Sequence, residues 1–128
     1  METKIALVVD DSSLARMMVR KIFETHFRDW SLVEARDAGE ALQRFEEMTL
    51  HLALVDFNMP GMNGLDLAEK MRGKHPGLPV HLVTANIQES MRERCEVAGI
   101  GFIEKPVDPG KLGVIMAGLA VTSYADRS

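Results

Sequence analysis

Polar residues that could carry out chemistry follow four short apolar runs of this chain. Two adjacent acids, Asp10 and Asp11, come after the first run, and a third acid, Asp56, ends another. Thr84 and Lys105 stand at the ends of two later runs. If these runs are parallel strands, their carboxyl ends meet at one edge of a sheet, and the five side chains converge there.

Three carboxylates in one place repel one another and require a cation. Carboxylate oxygens without His or Cys ligands favour Mg²⁺ or a similar hard ion. Because Mg²⁺ keeps waters and phosphate oxygens among its ligands, a phosphoryl group is the predicted substrate. A lysine and a hydroxyl would stabilise the charge of a transferring phosphoryl group, and a carboxylate would be the nucleophile. The strand ends therefore predict an aspartyl-phosphate.

The elements that must position these residues are short strands alternating with amphipathic helices. Strands are predicted at Ile5–Val9, Ser31–Val33, Leu52–Val55, Pro79–Thr84 and Gly101–Ile103. Helices are predicted where apolar residues recur at helical spacing, over Ser12–Phe27, Ala38–Met48, Leu65–Arg72, Ile87–Ala98 and Asp108–Ala120. Most of the strands are continuously apolar, which is typical of a parallel sheet covered on both faces. The predicted fold is α/β and flavodoxin-like, a doubly wound (βα)5 sheet in the order 2-1-3-4-5.

Length and composition exclude several classes of protein. The chain has 128 residues, of which 46% are hydrophobic and 27% are charged, as in one globular domain. A net charge of −4 disfavours nucleic acid or an anionic membrane surface as a partner. A single cysteine, Cys95, excludes an internal disulfide framework. Without an apparent signal peptide or membrane span, we expect a cytoplasmic protein with one domain over residues 1–128 and a frayed tail over residues 121–128.

Four segments carry a family resemblance. They read VVDDSSLAR, LVDFNMPGMNGLDL, LVTAN and FIEKPV, in this order along the chain. Together they resemble the receiver domain of two-component response regulators, and their layout is similar to that of stand-alone, CheY-like receivers. The resemblance covers residues 4–120. It implies a signalling switch that catalyses only its own phosphorylation and dephosphorylation, and that is a monomer.

The resemblance also implies a role for the acidic residues. It makes Asp56 the phosphoacceptor. It places Asp10 and Asp11 around Mg²⁺, with Asp56 and the backbone carbonyl of Asn58 as further ligands. The donor would be a phosphohistidine on a histidine kinase or a phosphotransfer protein.

The remaining implied roles concern the response to phosphorylation. Lys105 would pair with a phosphoryl oxygen, and its bond to Pro106 would be cis. Thr84 and Phe102 would form a switch pair, in which the hydroxyl moves to the phosphoryl group and the ring turns inward. Such a population shift would alter the face formed by the fourth helix, the fifth strand and the fifth helix, which docks an unidentified protein target.

Three positions depart from the stand-alone chemotaxis receivers. Phe102 replaces a tyrosine, Val107 replaces an aromatic residue, and Asn86 replaces an acid. In the family, the positions of Asn58 and Asn86 tune hydrolysis of the phosphoryl group. The lifetime of the phosphorylated state and a role in chemotaxis are therefore open.

Other functions are compatible with parts of the pattern. A phosphotransfer shuttle or phosphate sink would use the same site and pass the phosphoryl group from Asp56 to a second histidine protein. A haloacid-dehalogenase-type phosphatase would need an Asp-x-Asp motif and a cap domain, and a flavodoxin would need a phosphate-binding loop after the first strand. The adjacent acids Asp10 and Asp11 argue against both. Taken singly, Asp10 and Asp11 could merely cap the first helix, and the residues after Asp56 could merely form a turn.

Overall fold

A computed structural model describes the backbone of residues 3–127 and the side-chain environments of residues 3–119. Strands and helices alternate along this part of the chain. The strands are β1 (Lys4–Val9), β2 (Trp30–Ala35), β3 (Leu52–Asp56), β4 (Val80–Thr84) and β5 (Gly101–Glu104). The helices are α1 (Ser13–His26), α2 (Ala38–Glu47), α3 (Gly64–Lys74), α4 (Glu89–Ala98) and α5 (Pro109–Arg127).

The strands form one parallel sheet in the order β2-β1-β3-β4-β5, which confirms the predicted fold class and strand order. The direction of winding reverses between β1 and β3, because the chain runs outward from β1 to β2 and then returns to β3 on the other side. Val9 at the end of β1 is in register with Val55 near the end of β3. Residues that follow these two strands therefore lie at the switch point where such sheets bind ligands.

Helices bury both faces of the sheet. One core layer, which packs under α2, α3 and α4, includes Leu7, Val55, Leu82, Leu67, Met71 and Cys95. The other layer, which packs under α1 and α5, includes Val8, Leu54, Ile103, Phe23 and Leu112. Since neighbouring residues of a strand face opposite layers, both must be apolar, which explains the continuous apolar runs in the sequence.

Local capping fixes where the helices begin and end. The Ser12 hydroxyl accepts a hydrogen bond from the Ala15 amide at 3.2 Å and begins α1. Asn63 begins α3 in the same way through the Asp66 amide, at 2.9 Å. Gly99 ends α4 in the left-handed conformation, at φ 71°.

Most boundaries lie within two residues of the predictions, and two of the differences have a local cause. Helix α4 begins at Glu89 instead of Ile87, because Gln88 is extended, at φ −88° and ψ 158°. Helix α5 continues to Arg127, past the predicted end at Ala120 and through most of the expected frayed tail. Residues 121–127 contain no Gly or Pro that would stop a helix. Ser128 lies outside the described residues.

Candidate functional site

The carboxyl ends of four strands bring most of the predicted site residues together. Asp10 and Asp11 follow β1, and Asp56 is the last residue of β3. Carboxylate oxygens of these three residues all lie within 4.8 Å of one another. Lys105, which follows β5, places its Nζ 2.7 Å from Oδ1 of Asp56. Three carboxylates and one ammonium group therefore share the switch point of the sheet.

Asp56 is the most enclosed acid of the cluster. It is 2% exposed. Burial raises the pKa of the Asp56 carboxyl above its ordinary value, the contact with the Lys105 ammonium lowers it, and the negative charges of Asp10 and Asp11 raise it again. The net shift is upward, so one lysine does not fully compensate the ionised group.

The pKa of Lys105 is raised as well. Burial lowers the pKa of the Lys105 ammonium, but Asp56, Asp10 and Asp11 raise it more, so the pKa lies above its ordinary value. The amide of Lys105 donates to the Thr84 carbonyl at 2.9 Å, which ties this loop to the end of β4. The bond from Lys105 to Pro106 is cis, as predicted.

Asp10 is held in place by backbone contacts. It is 6% exposed, and its Oδ1 accepts a hydrogen bond from the Ser12 amide at 2.9 Å. The side-chain cap of α1 is Ser12, so capping does not account for the adjacent acids. Asp11 is exposed and keeps the acidic cluster open to solvent.

A hard divalent cation fits this donor set. The three acidic side chains of the cluster offer only carboxylate oxygens, and these lie close enough together for one ion to contact all three residues. Burial, together with the negative charges of Asp10 and Asp11, raises the pKa of Asp56, so a cation between these carboxylates would favour the ionised form. The exposure of Asp11 leaves room for the waters that Mg²⁺ retains.

Thr84 lies at the same edge, but its hydroxyl has local partners. The side chain is 2% exposed. Its Oγ1 donates to the Asn86 carbonyl at 3.2 Å and accepts from the Asn86 amide at 3.3 Å. Asn86 itself is exposed. The hydroxyl thus closes a small turn after β4 in this state of the protein.

Phe102 lies on β5 and outside the acidic cluster. Its half-buried ring packs against the core layer under α2, α3 and α4. The guanidinium of Arg92 on α4 lies over the ring, with Cζ 4.7 Å from the ring centroid. This cation–π contact joins α4 to β5. Sequence reasoning could not identify this contact, because the two residues meet only through tertiary packing.

Comparison with known families identifies the family to which this fold belongs. The family model of the response regulator receiver domain matches residues 6–117. The chain is a response regulator receiver domain. Phosphorylation on an aspartate and Mg²⁺ binding at an acidic cluster are general features of this family, and receiver domains accept phosphate from histidine kinases. The acidic cluster at the switch point is consistent with both features.

The receiver is similar to parts of larger proteins of Xanthomonas campestris pv. campestris. It is 34% identical to the cyclic di-GMP phosphodiesterase response regulator RpfG over 83% of this chain and 29% of RpfG. It is 31% identical to the sensory/regulatory protein RpfC over 91% of this chain and 16% of RpfC. The chain therefore spans less than a third of the length of either relative.

A solved receiver has nearly the same backbone. The CheY-like response regulator receiver domain protein from Methanospirillum hungatei superposes with a TM-score of 0.87 at 30% identity, over 97% of this chain and 99% of that one. Within the part of this receiver that the structure describes, no helix is long and apolar enough to cross a membrane.

Gly64 supports the receiver's site in a way that sequence reasoning missed. A Cβ atom at this position would overlap the backbone carbonyl of Asp56, so only glycine allows α3 to begin against the end of β3. The Gly64 amide donates to the Phe57 carbonyl at 3.0 Å and closes the loop that carries Asn58, whose side chain is exposed. In the sequence, Gly64 only precedes the predicted helix Leu65–Arg72.

A second missed feature connects α1 with the edge strand β2. Arg16 Nη1 donates to the Asp10 carbonyl at 2.6 Å, and its Nε donates to Glu34 at 3.1 Å. Arg20 also donates to Glu34, at 2.8 Å. The hydrogen bond from Arg20 lowers the pKa of Glu34, burial opposes this, and Arg16 lowers it further. The polar end of β2 was left out of the predicted site, although Glu34 orients the arginine that holds Asp10.

Proposed function

We propose that this receiver accepts a phosphoryl group on Asp56 from the phosphohistidine of a histidine kinase or a phosphotransfer protein. Its output is docking to a protein target, and the unit that switches spans residues 1–128. The proposal rests on one observation: the buried Asp56 carboxylate lies 2.7 Å from the Lys105 ammonium and within 4.8 Å of two further carboxylates. A role in chemotaxis is one version of this function.

The proposed chemistry follows from the charges around Asp56. Mg²⁺, held by Asp10, Asp11, Asp56 and the Asn58 carbonyl, would neutralise phosphoryl oxygens when it is bound. Asp56 is the nucleophile, and burial keeps its carboxylate poorly solvated and therefore reactive. Lys105 transfers its contact from Asp56 to a phosphoryl oxygen, where spread negative charge develops.

The same chemistry gives a route to the docking face. The Thr84 hydroxyl must leave its turn with Asn86 to reach the phosphoryl group. That turn precedes α4, whose Arg92 lies over the ring of Phe102. Release of the turn would therefore shift the balance between two arrangements of α4 and β5. The proposed docking face comprises α4, β5 and α5.

The test is the intact mass of the protein after incubation with acetyl phosphate. We expect one added phosphoryl group on the wild type in the presence of Mg²⁺ and none after chelation. Asp56→Asn should remain unlabelled. Asp29→Asn is the matched control, because Asp29 is an exposed acid outside the site, and it should be labelled like the wild type.

Equal labelling of the wild type and Asp56→Asn would contradict the assignment of the phosphoacceptor. An unlabelled wild type whose NMR spectrum also does not change with beryllofluoride, a phosphoryl mimic, would contradict receiver chemistry altogether. A shuttle role has a separate signature. In that case, labelled protein would transfer its phosphoryl group to a second histidine protein, which a docking switch does not do.

A further inference from the structure

An apolar cavity opens beside the proposed phosphoacceptor. Its volume is about 350 Å³. Asp10, Asp56 and Lys105 contribute to its wall, so it is continuous with the acidic cluster. The rest of the wall is formed by apolar residues of α1, the central strands and the segment after β5. The proposed phosphoryl chemistry uses only the polar part of this wall.

Two side chains on the apolar part of the cavity wall differ in their exposure to solvent. Met18 on α1 borders the cavity and is 49% exposed, which indicates that the cavity is reached from solvent there. Val107 borders the cavity from the segment after β5 and is half-buried. A short side chain at position 107 leaves space that a larger residue would fill. The cavity thus combines an accessible mouth with an apolar interior.

The charges at the polar wall select the kind of ligand. Three carboxylates and Lys105, together with a bound Mg²⁺, give a neutral group of charges that includes two cationic centres. A phosphoryl group satisfies both centres, whereas an uncharged apolar molecule satisfies neither. An occupant that suits the whole cavity therefore carries a phosphoryl group at one end and an apolar group at the other.

We propose that the cavity is a subsite for small-molecule phosphoryl donors, specifically acyl phosphates with an apolar acyl group. This inference rests on the proposed phosphorylation of Asp56. In the reaction, an Asp56 oxygen bonds to phosphorus while the bond from phosphorus to the acyl oxygen breaks. The acyl group leaves as a carboxylate with the electron pair, so no proton, oxidant or reductant is needed. Met18 and Val107 contact the acyl chain and determine specificity.

The test is a chain-length series of donors at constant Mg²⁺, with acetyl, propionyl and butyryl phosphate. The corresponding carboxylic acids have closely similar acidity, so intrinsic donor reactivity stays nearly constant. We measure initial labelling rates by intact mass. The half-saturating concentration should fall about three- to fourfold for each added methylene, which corresponds to burial of that group at about 0.8 kcal/mol.

Two variants locate the effect. Val107→Phe fills the cavity and should abolish the dependence on chain length. Val114→Phe is the matched control, because Val114 is 76% exposed on α5 and does not border the cavity, and it should keep the dependence. An unchanged dependence in Val107→Phe would overturn the assignment of the subsite.

A binding measurement makes the test independent of phosphoryl transfer. Alkylphosphonates cannot donate a phosphoryl group, and the methyl signal of Met18 reports on the cavity mouth in a ¹³C-methyl NMR spectrum. With Mg²⁺ present, butylphosphonate should shift this signal at lower concentration than methylphosphonate. A half-saturating donor concentration that is flat across the acyl series, with Asp56 still labelled, would overturn the subsite and leave the receiver function intact. If no donor labels Asp56, equal effects of the two phosphonates would overturn the subsite as well.

Discussion

Asp56 is 2% exposed and lies beside two further carboxylates, with one ammonium group in contact. Burial and the neighbouring acids hold its pKa above the ordinary value of an aspartate, about 3.9. The folded protein therefore binds this proton more tightly than the unfolded chain does. The free energy of unfolding should fall as the pH rises from the ordinary pKa of an aspartate to the raised pKa of Asp56. Above that range, the ionised group has its full destabilising effect.

Replacing the charge should reveal this cost. Without Mg²⁺ at neutral pH, Asp56→Asn should raise the free energy of unfolding by about 1 kcal/mol, a typical size for one side chain. The gain should vanish well below about pH 3.9, where both states of the wild type are protonated. Urea denaturation across pH measures it, with Asp29→Asn as the unaffected control. A lower free energy of unfolding for Asp56→Asn than for the wild type at neutral pH would show that the ionised Asp56 does not destabilise the metal-free protein.

Gly64 offers a second prediction for a single residue, with a control in the same helix. Gly64→Ala should destabilise the protein by about 2–4 kcal/mol, because the new Cβ overlaps the Asp56 carbonyl and forces the end of β3 to move. Gly73→Ala, also in α3, meets no atom within 4 Å and should be neutral or stabilising by about 0.5–1 kcal/mol. Denaturant midpoints distinguish the two variants. Equal changes in their stability would show that the end of β3 at Asp56 can move without a large cost.

At the scale of elements, α1 and β2 position Asp10 through Arg16. Arg16→Ala removes the hydrogen bond to the Asp10 carbonyl and one to Glu34, whereas Arg20→Ala removes only contacts with Glu34. We expect Arg16→Ala to weaken Mg²⁺ binding about tenfold, as loss of an outer-sphere partner commonly does. Arg20→Ala should weaken it less.

Calorimetric titration with Mg²⁺ measures these affinities. Arg28→Ala is the control, because Arg28 is exposed beyond the end of α1. A fall in thermal stability without a change in Mg²⁺ affinity would mean that Arg16 is only a structural link between α1 and β2.

The elements themselves were largely predictable, and the reason is periodicity. Continuous apolar runs predicted strands buried on both faces, and helical spacing predicted the five helices, because burial dictates both patterns. The start of α4 was wrong, since Gln88 has no side-chain cap bond that a sequence could signal. The hydrogen bonds from Arg16 and Arg20 to Glu34 were also missed, because they join elements that only the folded sheet brings together.

The candidate site was predicted as a group of residues but not in its detailed contacts. Strand ends place Asp10, Asp56 and Lys105 together because parallel strands align their carboxyl ends. The turn between Thr84 and Asn86 could not be predicted, because it depends on backbone conformation after β4. The space beside Val107 could not be predicted either, because it depends on how α1 packs against the sheet.

At the scale of the whole molecule, a cation bound at the acidic cluster would contribute to the stability of the entire domain. Asp10 follows β1 and Asp56 ends β3, and both strands pair with neighbouring strands and contribute residues to both core layers. Unfolding separates Asp56 from the adjacent Asp10 and Asp11, so the unfolded chain has no comparable site for Mg²⁺. Any Mg²⁺ bound to the folded state must therefore stabilise the entire domain.

Mg²⁺ at about one hundred times its dissociation constant should add about 2.7 kcal/mol to the free energy of unfolding of the wild type. Asp11→Asn should lose most of this gain with little change in the stability of the metal-free protein, because Asp11 is exposed.

Asp56→Asn should also gain little stability from Mg²⁺, although we expect it to be the more stable protein without metal. The stabilities of wild type and Asp56→Asn therefore converge or cross as Mg²⁺ is added, which urea denaturation at several Mg²⁺ concentrations measures. Parallel curves for the two proteins would show that the ion binds elsewhere, since the charge that destabilises the metal-free site is the charge that holds the ion.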